Sequence, residues 1–238
     1  MRTIAFSEVE TMLIPEGEVR SLSIGGVTVW QKPFGDWRDL YDRVDYIANA
    51  SRGQYIVTDY TANNTTGLEV TIACNAYEDV ICAGSRISGS NARFYTPYLY
   101  ASSRQYYGWN TARTLSLKVS TNTKFTARLN WMNSRKAEMM DSGGSLLGSA
   151  SFGTTKLATQ KDVIALFCST NGDGSFTSRR NMKLYGARIS QEGEVVREYI
   201  PCIRKSDGEL GVFEVCTETF VTRSGSGSFT YGEIIGWL

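Results

Sequence analysis

Apolar and polar residues alternate with a period of two along much of the chain. Leu68-Glu69-Val70-Thr71-Ile72, Leu115-Ser116-Leu117-Lys118-Val119 and Phe125-Thr126-Ala127-Arg128-Leu129-Asn130-Trp131 each place every second side chain on one face, the pattern of a half-buried strand. In the last of these, Trp131 is in phase with Phe125, Ala127 and Leu129, which predicts a core position for it. Val163-Ile164-Ala165-Leu166-Phe167-Cys168 is apolar throughout, as expected of a strand covered on both faces. Lys183–Ile189 and Glu194–Ile200 are separated by Ser190-Gln191-Glu192-Gly193, a tight turn. Asn171-Gly172-Asp173-Gly174 and Gly225-Ser226-Gly227-Ser228 mark further loops. No 15-residue window keeps a helical period and no repeat of fixed length is visible. Many short strands between turns predict an all-β fold of two packed antiparallel sheets, a β-sandwich.

The first 35 residues read differently. Ser7-Glu8-Val9-Glu10 has the spacing of a capping box, with Val9, Met12 and Leu13 on one helical face; Pro15 limits such a helix to two turns, and an extended segment fits as well. Val19–Trp30 predicts a hairpin closed by Gly25-Gly26, whose glycines permit a primed turn. That register pairs Ile24 with Val27 and Leu22 with Val29 on one face, and Ser23 with Thr28 and Ser21 with Trp30 on the other. A lone hairpin is marginal in water, so its apolar face needs a cover. The main domain, a symmetry mate or another protein would serve, which makes Leu22, Ile24, Val27, Val29 and Trp30 the candidate attachment or oligomerisation residues. Gln31–Gly35 reads as a connector, giving an N-terminal segment over 1–35 and a sandwich over 36–238.

Composition narrows the chemistry. The 238 residues contain 25 basic and 24 acidic side chains, so no net field favours nucleic acid or an anionic membrane surface. There is no histidine, which excludes Ser-His-Asp and Cys-His catalysis and the H-E-x-x-H zinc helix. The five cysteines, Cys74, Cys82, Cys168, Cys202 and Cys216, are odd in number and lack a C-x-x-C pair, so they are expected as reduced, buried hydrophobes. Met1–Glu8 reaches an acid before an apolar stretch forms, so no secretory signal is expected, and no run of 18 apolar residues predicts a membrane span. The expected place of synthesis is a cytoplasm. No basic run or phosphate-binding glycine loop points to nucleic acid or nucleotide, and no cofactor is expected.

Longer motifs add a resemblance. Tyr41–Thr58 (YDRVDYIANASRGQYIVT) resembles the opening of concanavalin A-like (laminin G-like) domains, frequent in bacteriophage tail and fibre proteins and in gut-bacterial surface proteins. Val196–Phe213 (VREYIPCIRKSDGELGVF) resembles the family's closing strands, and Thr219–Thr230 (TFVTRSGSGSFT) its ending. Gly84-Ser85-Arg86, and Ala165-Leu166-Phe167 followed by Asn171-Gly172, are similar to two further family motifs. The match is collinear over about 37–232, with Glu214 where Asp is usual and Arg223 where Asn is usual. It implies a concanavalin A-like jelly roll and a virion protein.

Most motif residues read as structural. Pro201 suits an edge or a strand start, Asp207-Gly208 a turn, and Tyr46, Tyr55, Tyr199, Phe213 and Phe229 a core. The middle of the chain offers functional candidates. Arg93, Tyr95, Tyr98, Tyr100, Tyr107, Trp109 and Asn110 combine rings that can stack on sugar C–H faces with groups that can pair with hydroxyls, a candidate glycan site. The alternative is that these aromatics alternate into the core. Concanavalin-like glycosidases carry E-x-D-x-x-E or E-x-D-x-E, absent here, so no catalytic residue is expected. Asn171–Gly174 has oxygens a calcium ion could use but reads more simply as a turn, and no metal is expected. The sequence therefore leads to a non-catalytic virion protein of a tail or fibre that binds host-surface glycan and other virion proteins, as a homo-oligomer with a trimer favoured. A purely structural decoration or assembly protein and a polysaccharide-degrading glycosidase are the alternatives.

Overall fold

A computed structural model describes residues 9–13, 19–24, 27–31, 36–50, 53–75, 80–86, 93–99, 105–115, 117, 119–171, 175–178 and 182–237; for 9–31, Val80, Tyr98, Thr177 and Ser178 it describes the backbone alone. The chain divides into Met1–Leu40 and Tyr41–Leu238. In the first unit, strands Val9–Leu13, Val19–Ile24 and Val27–Gln31 form an antiparallel sheet in chain order. The segment around Val9 is thus extended, since the neighbouring strand offers it a ladder of hydrogen bonds. Ile24 pairs with Val27 and Ser23 with Thr28 as expected, but Leu22 pairs with Trp30 and not with Val29. An extra residue on the last strand, a bulge at Val29, shifts the register by one. The side chains of Leu22, Ile24, Val27, Val29 and Trp30 lie outside the described residues.

The second unit is a two-sheet jelly-roll sandwich. One sheet runs, neighbour to neighbour, Thr111–Leu115, Gln105–Trp109, Arg93–Leu99, Ala83–Arg86, Val163–Leu166, Gln54–Thr61 and Ser224–Gly225. The other runs Leu146–Ser151, Lys136–Asp141, Phe125–Leu129, Thr66–Cys74, Met182–Gln191, Glu194–Arg204, Leu210–Glu214 and Thr219–Thr222. Pairings among the described residues are antiparallel except for one parallel bridge between Thr170 and Ser85. The sheets bury Ile56, Leu68, Ile72, Phe94, Phe125 and Leu166 between them. Each such side chain stabilises the fold by roughly 1.5–3 kcal/mol. Between Gln191 and Glu194 the chain reverses through Glu192 (φ 55°) and Gly193 (φ 93°), the positive angles a primed hairpin turn requires.

Several local departures from the alternating pattern have physical causes. The expected strand over 115–119 lies at Thr111–Leu115 instead, because the chain folds back at Leu117, whose N–H donates to the Leu115 carbonyl (2.7 Å). The apolar run at 163–168 is buried, but it splits at Phe167, which takes φ 68° as its ring stacks on Phe229 (5.0 Å). The strand holding Phe125 ends at Leu129; Asn130 adopts φ 48°, and Trp131 leaves the strand's phase. Trp131 is buried, yet outside the inter-sheet core, with the guanidinium carbons of Arg188 and Arg128 5.1 and 5.7 Å from its ring centre.

Pro201 lies inside Glu194–Arg204, neither at an edge nor at a strand start. That strand pairs with Met182–Gln191 only up to Tyr199 and with Tyr41–Arg43 only from Cys202. The Pro201 carbonyl accepts from Val44 N–H on that side (3.1 Å), so its nitrogen faces the same changeover and removes no ladder bond. Tyr199, Phe213 and Phe229 are buried as expected, whereas Tyr46 and Tyr55 are half-buried. Tyr46 lies 4.3 Å from the Lys183 ammonium and Tyr55 stacks on Phe176. Cys74, Cys82, Cys168 and Cys202 are free and buried, and burial pushes the Cys202 thiol up to about 12; Cys216 departs from the expectation and is exposed.

Candidate functional site

The aromatic middle of the chain is mostly wall. Phe94, Tyr107 and Trp109 alternate into the core, and Tyr107 and Trp109 are only 2% and 3% exposed. Tyr95 points the other way but is equally covered, its ring lying over Gly108 where a Cβ would approach to 2.6 Å. Burial raises the hydroxyls of Tyr95 and Tyr107 above the usual phenol range. None of the rings of Tyr95, Tyr107 and Trp109 offers a sugar a free face, which corrects the expectation for all three. Arg93 is half-buried at the start of its strand, beside the Tyr95 side chain. Tyr100 and the side chain of Tyr98 lie outside the described residues.

Trp109 and Asn110 nevertheless help to build a cleft. It has a volume of about 500 Å³ and is lined by Asn64, Thr65, Trp109, Asn133, Arg135, Phe152 and Gly153–Lys156. Phe152 stacks on Trp109 with ring centres 4.2 Å apart and an 18° interplanar angle, and Tyr107 lies behind them. Trp109 Nε1 donates to the Thr155 carbonyl (2.8 Å). Asn110 Nδ2 donates to the Lys156 carbonyl and Asn110 Oδ1 accepts from Ala158 N–H, both at 2.6 Å. The pair of residues that ends the Gln105–Trp109 strand therefore fixes the 152–158 segment, one by its ring and indole N–H, the other by its amide.

The opposite wall is a left-handed loop. Asn130, Met132, Asn133 and Arg135 have φ of 48°, 50°, 59° and 57°, a conformation side-chain-bearing residues rarely adopt. Buried Asn130 holds it: Nδ2 donates to the Thr66 carbonyl (3.0 Å) and Oδ1 accepts from Arg135 N–H (3.0 Å). Met132 N–H donates to Ser190 Oγ (3.3 Å), and the Arg135 carbonyl accepts from Phe152 N–H (3.2 Å), joining the walls. Gly67 makes room beneath, since a Cβ there would come within 2.6 Å of the Asn130 carbonyl oxygen. The result presents exposed Asn64, Asn133, Arg135, Thr154, Thr155 and Lys156 around a floor of Trp109 and Phe152 rims.

A second cleft, of about 550 Å³, is lined among others by Asp59, Tyr199, Glu214, Thr217, Phe220 and Arg223. Its acids are already matched, while Arg223 donates to the Gly225 carbonyl (2.8 Å). Arg197 grips Asp59 through two bonds (3.0 and 2.7 Å), and its Nε lies 3.9 Å from Glu214. Glu214, 2% exposed, accepts from the backbone N–H of Glu198 (2.9 Å), Cys216 (3.0 Å) and Thr217 (2.7 Å), and from the Thr217 hydroxyl. Burial alone would raise its carboxyl, but these donors hold it below the usual range. The Arg197 hydrogen bonds likewise hold Asp59 low. Tyr199 is pushed up by burial and then by the negative charges of Asp59 and Glu214; its buried hydroxyl makes no hydrogen bond within normal geometry, although Thr58 and Asp59 lie close enough to perturb it.

Arg135, Phe152, Lys156, Asn64 and Asn133 were not singled out by the sequence pattern. Their signal was weak: asparagines at Asn130 and Asn133, tolerant of left-handed backbone, and Gly153 with φ 65°. Among the described residues no cluster of three or more metal-ligating side chains occurs, and Asn171 Oδ1 accepts from Arg86 (2.9 Å).

No protein-family model matches the sequence, and no curated protein matches it. Solved structures do resemble the fold. A Bacteroides ovatus protein described as a candidate carbohydrate binder superposes with a TM-score of 0.55 at 11% identity, over 81% of this chain and 60% of that one. This chain thus spans about three fifths of that protein's length. A SAP-like pentraxin from Limulus polyphemus gives 0.44 at 8% identity (62% and 76% of the two chains). The CBM40 of a Ruminococcus gnavus sialidase, solved with sialyllactose, gives 0.45 at 11% (61% and 89%). The Bacteroides likeness establishes the sandwich fold.

Proposed function

We propose that the chain is a non-catalytic carbohydrate-binding sandwich of a bacteriophage tail or fibre, carried on the virion and attached to other virion proteins through its N-terminal sheet. The observation that carries the binding half is the cleft between the Asn130–Arg135 loop and the 152–156 segment. It sets exposed amide, hydroxyl and cationic groups around a floor where Trp109 and Phe152 show only their edges, at a volume suited to one or two sugar rings. The Bacteroides ovatus neighbour supports this at the level of fold. The virion half is supported by the opening and closing motifs at Tyr41–Thr58 and Val196–Phe213.

A glycan array and host-cell adsorption assay test the binding half. The wild type should be retained, and Arg135→Met, which removes an exposed group of the cleft rim, should lose about tenfold in affinity for the retained glycan. Retention of the wild type on neither surface would remove the glycan reading. Unchanged host adsorption by the Arg135 variant would favour a structural decoration or assembly role. Reducing ends released from capsule or cell-wall polysaccharide would overturn the non-catalytic assignment. Light scattering should report an oligomer, and a monomer would count against attachment through a shared N-terminal interface.

A further inference from the structure

We infer that the Trp109–Phe152 cleft selects saccharides bearing a carboxylate, a uronic or sialic acid, with Arg135 as the carboxylate-binding residue and Lys156 as its electrostatic support. The inference rests on the glycan reading above and names the class of sugar. Its first ground is the charge of the lining. The ten residues around the cleft include two cations and no acid. Neither the Arg135 guanidinium nor the Lys156 ammonium has a carboxylate partner among the described residues. Four other arginines of the sandwich are held by acids, Arg128 and Arg188 by Glu69, Arg197 by Asp59, and Arg204 by Asp207, whereas this cleft sets two cations side by side with no acid in its lining. An unmatched guanidinium beside an aromatic floor is suited to a planar anion, which it can meet with two parallel hydrogen bonds.

The second ground is backbone strain. Four side-chain-bearing residues in six adopt left-handed angles; asparagine tolerates them at Asn130 and Asn133, while Met132 and Arg135 each cost of order 1 kcal/mol or more. Asn130, Ser190, Phe152 and the space at Gly67 all fix that conformation. A relaxed turn would have closed the hairpin equally well; this one aims Asn133 and Arg135 at the 152–156 segment. Asn110, by bonding the Lys156 carbonyl and Ala158 N–H, positions the other cation. The neutral groups, Asn64, Asn133, Thr154 and Thr155, match ring hydroxyls on the rest of the saccharide.

Titration calorimetry with the full chain tests this, using oligogalacturonate, sialyllactose, the carboxyl-reduced form of the same oligogalacturonate, and glycerol phosphate. A carboxylated saccharide should bind at least tenfold more tightly than the reduced one. That ratio should fall towards one in Arg135→Met, shrink partly in Lys156→Gln, and fall as NaCl rises from 0.05 to 0.5 M. Arg135→Lys should restore only part of it, since an ammonium lacks the planar fork. Melting curves matching the wild type establish that these exposed-site variants are folded. Equal binding of acidic and reduced saccharides overturns the inference and leaves the glycan reading intact. Binding of neither, with no other glycan retained on the array, removes both. Binding of glycerol phosphate but no carboxylated sugar assigns the cleft to phosphate-bearing polymers and overturns the carboxylate assignment.

Discussion

The two clefts of this sandwich have similar volumes and opposite electrostatic designs. In the one beside Glu214, acids and the arginine between them satisfy one another, and a buried carboxylate gathers the N–H groups of a turn. In the one beside Trp109, the backbone is strained, the cations lack acidic partners and the aromatic floor is packed from behind. A cleft whose charges are internally matched stabilises the molecule. One that leaves charge unmatched at its rim gains nothing from it until a ligand arrives. The difference separates maintenance of the fold from recognition.

Mutation should widen that contrast most at Glu214. Glu214→Ala strands three backbone donors and weakens the hold on Arg197, so unfolding by denaturant should show a loss of about 3 kcal/mol with glycan affinity unchanged in the fraction that remains folded. Asn130→Ala comes next. It removes three hydrogen bonds, to the Asn64 and Thr66 carbonyls and from Arg135 N–H, and places alanine at φ 48°, costing about 2 kcal/mol, and it should abolish saccharide binding together with the loop geometry.

Acid should act on the first cleft. Glu214 and Asp59 titrate below their ordinary values when folded, so the stability they contribute is present above the unfolded carboxylate range. It is lost as pH falls through the folded values, which places the loss below about pH 4. Asp59 is largely exposed and adds little, so Glu214→Gln should flatten most of that acid limb in a pH-resolved melting series.

A paired substitution sharpens the comparison further. Arg197→Met should cost about 1 kcal/mol and spare binding, while Arg135→Met should change stability by less than about 0.5 kcal/mol and reduce affinity for an acidic saccharide. If both lose binding, the two clefts are not independent. The smallest effect belongs to Cys216→Ser. The backbone N–H of Cys216 serves Glu214, and a serine hydroxyl can take over the weak bond of the thiol to the same carboxylate, so thermal melting should move by no more than the equivalent of about 0.5 kcal/mol.

The fold was readable because burial imposes a period of two on strands, and Leu68–Ile72, Phe125–Leu129 and the hairpin around Gly193 follow it. The same alternation misled at the aromatic middle. Tyr107 and Trp109 keep the strand period because they face the core, so their chemistry as sugar platforms could not be separated from their packing by pattern alone. Leu117 and Trp131 were misplaced because one fold-back and one left-handed asparagine reset the phase behind them. The cleft itself was largely illegible. Arg135 lies on one loop and Phe152 and Lys156 on another, and cross-links from Trp109, Asn110, Asn64, Asn130 and the Arg135 carbonyl bring them together.

The two guanidinium groups held beside Trp131 give the molecule an optical handle. Positive charge beside an indole shifts its emission, and Trp131 shares one short turn with Met132 and Asn133, two residues before Arg135. A saccharide that draws Arg135 inward would tug on that turn and alter the distance from the indole to Arg128 and Arg188. Occupancy of the cleft would then be visible as a colour change in intrinsic fluorescence, without a label, and a Trp131→Phe chain would lose the part of that change that Trp109 in the lining does not supply, while keeping the binding.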